Sequence, residues 1–130
     1  MTMNGDTLAD RRILIVEDNF HIAAAMARLL KRHGATIIGP AGTTTDALAL
    51  IAGNERIDGA VLDINLHGKM VYPVANVLLA KSVPMVFMTG YDDRSIAPGY
   101  TNVPRMQKPV TVEGVMRALF GGSFAAPSPR

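Results

Sequence analysis

Gly59-Ala60-Val61-Leu62-Asp63-Ile64-Asn65-Leu66 sets a single acid at the end of a short apolar run. The run is too short for a helix and opens at a glycine, so it reads as a buried strand from Gly59 to Asp63. Such a strand delivers its last carboxylate to the C-terminal edge of a sheet, which is where ligands bind in open α/β folds. The other charged candidates are therefore judged by whether they reach Asp63.

Upstream, Ile13-Leu14-Ile15-Val16 is a second continuously apolar run and ends in Glu17-Asp18-Asn19. Asp18 or Asn19 is placed to cap a helix from Phe20 to His33, with Ile22, Met26, Leu29 and Leu30 inward and Gly34 as its stop. A strand is expected over 35–41. A short helix should follow from Thr43-Thr44-Thr45-Asp46 to Ala52, with Leu48 and Ile51 inward. Downstream of Asp63, residues 65–69 read as a loop, and Tyr72 to Lys81 reads as a helix with Pro73 in its first turn. Strands at Pro84 to Thr89 and about Val103 to Gln107, and a helix over Val112 to Phe120, complete the pattern. Strands alternating with helices at these separations predict a three-layer α/β fold around a parallel five-stranded sheet. Pro98 and Gly99 break the segment where a fourth helix belongs, so it should be short or irregular. Residues 1–10 and 121–130 lack periodicity and read as flexible ends of one domain spanning 11–120, with order beginning near Arg11.

A chain of 130 residues that is 48% hydrophobic builds one core and little else. The absence of cysteine excludes disulfides, zinc-thiolate sites and thiol catalysis. No apolar stretch approaches a membrane span and the N-terminus lacks signal-peptide regions, so a soluble cytoplasmic protein without a membrane partner is expected. A formal charge of +2, with nine scattered arginines, gives no footprint for nucleic acid.

The parallel topology brings Glu17, Asp18, Asp63, Thr89 and Lys108 to one edge of the sheet. Three carboxylates cannot all stay ionised side by side without a cation. A hard divalent metal would relieve them, and Mg²⁺, which favours few carboxylates, several waters and a phosphate oxygen, suits a site completed by an arriving phosphoryl group. Glu17, Asp18, Asp63 and the backbone carbonyl of Asn65 would hold the metal. Asp63 would be the nucleophile, with Lys108 and Thr89 meeting phosphoryl oxygens. Taken singly, Glu17 and Asp18 are equally well a strand end and a cap, Asp63 and Thr89 turn residues, and Lys108 a solvated lysine. Their coincidence at successive strand ends favours a site. His21, His33 and His67 show no ligand spacing, and only His67 lies near enough to Asp63 for a role in tuning access.

Val16-Glu17-Asp18-Asn19, Leu62-Asp63-Ile64-Asn65, Met88-Thr89-Gly90 and Gln107-Lys108-Pro109 resemble, in order, the motifs of the receiver domain of bacterial two-component response regulators, over roughly residues 11–120. The resemblance implies a flavodoxin-like, doubly wound sheet in the order 2-1-3-4-5. It also implies Mg²⁺-dependent phosphorylation of Asp63 by a sensor histidine kinase or a histidine phosphotransfer protein, slow autodephosphorylation, and a cis Lys108-Pro109 bond. Phe87-Met88-Thr89-Gly90-Tyr91 resembles the signature of the "FAT GUY" subgroup of single-domain receivers, associated with stress-response signalling.

One position departs from the pattern. Receivers typically carry a switching Tyr or Phe three residues before the lysine, and here that residue is Arg105. A guanidinium cannot bury itself as a phenol ring does, so the switch is expected to run through Thr89, Gly90 and Tyr91 into residues 92–102. The expected function is a stand-alone phosphoacceptor, not an enzyme, that acts on a downstream protein or in a phosphorelay. Two alternatives stand beside it. A pseudo-receiver would bind partners without phosphorylation, against which the full residue set argues. A small aspartyl-phosphate phosphohydrolase needs a general acid two residues after its nucleophile, where this chain has the amide of Asn65.

Overall fold

In a computed structural model that describes residues 8–90 and 96–121, β1 (Arg12–Val16), β2 (Thr36–Ala41), β3 (Gly59–Asp63), β6 (Met85–Thr89) and β7 (Arg105–Gln107) form one parallel sheet. Their order is β2-β1-β3-β6-β7. This is the expected 2-1-3-4-5 order, interrupted in sequence by a small antiparallel hairpin, β4 (Asn65–Leu66) and β5 (Lys69–Met70). Among the described residues, four helices cover the sheet: α1 (Phe20–Arg32), α2 (Thr44–Gly53), α3 (Tyr72–Ala80) and α4 (Val112–Phe120).

The central strands β1, β3 and β6 are buried along nearly their whole length because both of their faces are covered. Ile13 and Ile15 of β1, Val61 of β3, and Val86 and Met88 of β6 face a core shared with Met26 and Leu30 of α1 and Val115 and Leu119 of α4. The alternate residues, Leu14, Val16, Ala60, Leu62 and Phe87, face a second core with Ile51 of α2 and Val74 and Leu78 of α3. The strand period of two thus sorts one run of side chains into two layers.

Several local expectations need correction. The buried stripe of α1 is Ala23, Met26 and Leu30, while Ile22 is more than a third exposed and Leu29 half-buried. Leu29 still packs against the core at the edge of this stripe, while Ile22 falls outside it. In α2, Ala47 and Ile51 are fully buried, and Leu48 is partly buried and packs against the same core. Residues 65–69 belong to a hairpin whose turn residues, His67 and Gly68, both have positive φ (52° and 87°), as a tight two-residue hairpin turn requires. Two-residue strands are too short to leave a periodic signal.

Order also begins before Arg11. Leu8 is fully buried in the α1/α4 core, and its N–H donates to the His33 carbonyl at 2.7 Å. Between β6 and β7, residues 96–104 contain no helix. They are held by aromatic stacking: Tyr100 lies on Tyr72 with centroids 4.4 Å apart, and both rings border Phe87. The Tyr72 hydroxyl accepts from the Ala97 N–H at 2.9 Å, and the Tyr100 hydroxyl donates to Asn76.

Candidate functional site

The C-terminal ends of β1, β3, β6 and the residue after β7 meet in one crevice. At the end of β1, Glu17 and Asp18 diverge. Glu17 turns inward and is buried, with one oxygen accepting from the Asn19 N–H at 2.9 Å. Asn19, and not Asp18, caps α1, through its side-chain oxygen and the Ile22 N–H at 3.0 Å. Asp18 is thereby left half-buried at the crevice rim.

Asp63 ends β3 with 3% of its surface exposed. Its Oδ1 accepts from the Asn65 N–H at 3.2 Å, and its Oδ2 lies 3.1 Å from Lys108 Nζ. The same Nζ is 2.9 Å from Glu17 Oε1. Lys108 is fixed at its backbone as well, because its N–H donates to the Thr89 carbonyl at 2.9 Å, and the peptide to Pro109 is cis. One carboxylate oxygen from each of Glu17, Asp18 and Asp63 lies within 4.8 Å of the others. Thr89 is at the end of β6, buried, with its hydroxyl donating to the Met106 carbonyl at 3.4 Å rather than into the crevice.

The electrostatics follow from this packing. Burial pushes the Glu17 carboxyl up to about 7, assisted by the Asp63 charge and opposed by the Asn19 N–H and Lys108. Burial opposes the charge of Lys108 too, but its bonds and ion pairs to Glu17 and Asp63 outweigh it, so the ammonium is held above its ordinary range. One lysine thus bridges two carboxylates, with Asp18 beside them.

Gly90 follows Thr89 and is half-buried, and Arg105 is exposed on the edge strand β7, paired in register with Phe87. Tyr91 lies outside the described residues. The sequence does not reveal that His67, at the hairpin tip, reaches back so that its Nδ1 contacts Asp18 Oδ2. The separation of 49 positions between them carries no spacing signal; only the hairpin turn brings them together.

No protein-family model matches the chain. SdrG from Sphingomonas melonis Fr1 is 39% identical, with a TM-score of 0.75 over 85% of this chain and 94% of SdrG. The response regulator receiver domain of PhyR from Erythrobacter litoralis is 25% identical, with a TM-score of 0.73 over 95% of this chain and 97% of that domain. The chain belongs to the response regulator receiver domains. Among curated relatives, the receiver matches the transcriptional regulatory protein PdtaR of Mycobacterium tuberculosis at 25% identity over 122 residues, and spans 59% of PdtaR's length. PhyR and PdtaR are named as a response regulator and a transcriptional regulatory protein. Among its described residues no helix is long and apolar enough to cross a membrane.

Proposed function

We propose that this receiver accepts a phosphoryl group on Asp63 from the phosphohistidine of a sensor kinase or histidine phosphotransfer protein, and signals through a downstream protein or a phosphorelay. The observation that carries the reading is Lys108 Nζ, shared by Asp63 and Glu17 inside a triplet of carboxylates. In the transfer, an Asp63 oxygen attacks phosphorus, the P–N bond breaks, and its electron pair leaves with the imidazole. Lys108 neutralises charge on a phosphoryl oxygen and Thr89 donates to another.

The residues fit a divalent cation. Glu17 Oε1 is buried against Lys108 Nζ at 2.9 Å, and the three carboxylates of the cluster outnumber the lysine. The donors are all oxygen, which suits Mg²⁺, with Glu17, Asp18, Asp63 and the Asn65 carbonyl as ligands. When bound, Mg²⁺ supplies charge neutralisation for the incoming phosphoryl oxygens. A donor protein would seat on the apolar groove of about 410 Å³ beside Lys108, lined by Ile22, Ala25, Leu29, Pro109 and Val110.

The subgroup reading rests on Phe87, Met88, Thr89 and Gly90, with Tyr91 beyond the described residues. A phosphoryl oxygen is a stronger acceptor than the Met106 carbonyl, so the Thr89 hydroxyl turns toward it and draws on Gly90 and the segment that follows. Amide exchange with and without a beryllofluoride phosphoryl mimic checks this route, and unchanged protection over 96–104 would sink it. The function itself is tested by incubating the full chain with a small acyl phosphate and Mg²⁺. One phosphoryl group should appear on Asp63 and be abolished by Asp63→Asn. A wild-type chain that stays unlabelled would instead favour a phosphorylation-independent binding module.

A further inference from the structure

We propose that His67 is a nitrogen donor at the rim of the acidic site, which extends the site's reach from Mg²⁺ to borderline ions such as Co²⁺ and Zn²⁺. The inference rests on the metal-binding reading of Glu17, Asp18 and Asp63. Its own observation is the contact between His67 Nδ1 and Asp18 Oδ2.

His67 comes to the rim by construction. The β4–β5 hairpin begins two residues after Asp63, and its tight turn is pinned by the Gly68 N–H donating to the Asn65 side chain at 2.7 Å. The hairpin that carries the Asn65 carbonyl therefore also carries the imidazole. The ring stands outside the carboxylate triplet and meets it through Asp18. Its side chain is 82% exposed, so it can swing about χ1 and χ2 without disturbing packing. Ligands that share an ion touch one another, and the oxygen His67 touches belongs to a carboxylate of the triplet.

The consequence for metal choice follows from donor type. Mg²⁺ takes oxygen donors and keeps several waters, so a nearby imidazole adds little to its binding. Co²⁺ and Zn²⁺ bind imidazole well, and a site with carboxylates plus one ring nitrogen holds them more tightly than carboxylates alone. His67 thus separates the two classes of ion.

The test titrates the chain with Mg²⁺ and with Co²⁺ in the same buffer. Calorimetry gives affinities, and the visible absorption of Co²⁺ reports nitrogen ligation. His67→Ala should weaken Co²⁺ by about tenfold or more and alter its spectrum, while Mg²⁺ affinity stays within roughly twofold. His21 and His33 remain in both proteins, so binding to them cancels. Identical Co²⁺ affinity and spectrum in the variant would overturn the proposal, as would equal losses for both ions. A wild-type chain that does not bind Mg²⁺, or binds it unchanged after Asp18→Asn, would count against the phosphoacceptor reading; His67 is judged by Co²⁺ alone.

Discussion

Glu17 and Asp63 share a single lysine, 2.9 Å from one carboxylate and 3.1 Å from the other. Burial of the Glu17 carboxyl, which that lysine offsets only in part, makes the resting site a source of instability at neutral pH. The folded Glu17 carboxyl is raised to about 7 from 4.5, so the folded state binds the proton more tightly than the unfolded chain. Stability therefore falls as pH rises from about 4.5 to about 7, by an amount on the order of 3 kcal/mol. Glu17→Gln should flatten this window and raise the urea midpoint at pH 8 when divalent ions are chelated.

Lys108→Ala leaves the crevice with acids and no fixed cation. Divalent metal should bind at least as tightly as in the wild type, since a competing positive charge is gone. Labelling of Asp63 by an acyl phosphate should nonetheless slow by about a hundredfold, because the group that meets the phosphoryl oxygens is lost. Calorimetry and a labelling time course on the same protein separate the two effects.

Tyr100→Ala removes a ring stacked on Tyr72 and a hydroxyl bond to Asn76. The stacking and burial together are worth about 2 kcal/mol. Amide protection should drop over 96–103, while Asp63 labelling persists, since neither tyrosine lines the crevice.

Gly34→Ala should destabilise the fold by about 2 kcal/mol or more. Gly34 has a φ of 102°, and a Cβ there would come within 2.9 Å of the Ala9 backbone. Thermal unfolding should show the loss, and proteolysis near Leu8 should accelerate.

Arg105→Ala should change stability by no more than about 0.5 kcal/mol, because the side chain is exposed on a three-residue edge strand. Asp63 labelling should be unaffected, as measured by the same time course.

The residues that converge in the crevice are legible in the sequence because each sits at the end of an apolar run. A parallel sheet forces those ends onto one edge, so Asp63 and Lys108 meet despite 45 intervening steps. The five strands and four helices are legible for the same reason, by runs and periods. What stays hidden is whatever rests on single residues without a period. Leu8 is one apolar residue in a polar lead-in, yet it docks under α1. His67 reaches Asp18 only because a two-residue turn doubles the chain back. The Tyr72–Tyr100 stack is likewise a meeting of two isolated rings, for which neither local stretch carries a pattern.

Asn19 caps α1 while its neighbour Asp18 faces the crevice. Aspartate and asparagine are near-equal helix caps, so folding alone is almost indifferent to the order in which they are spelled. Exchanging the pair would give a chain that still starts its helix in the right place, with an amide where the crevice has an acid. Adjacent letters of this sequence are therefore answerable to different demands: position 19 to architecture, and position 18 to chemistry. A variant damaged at 18 would look healthy in every measurement of folding.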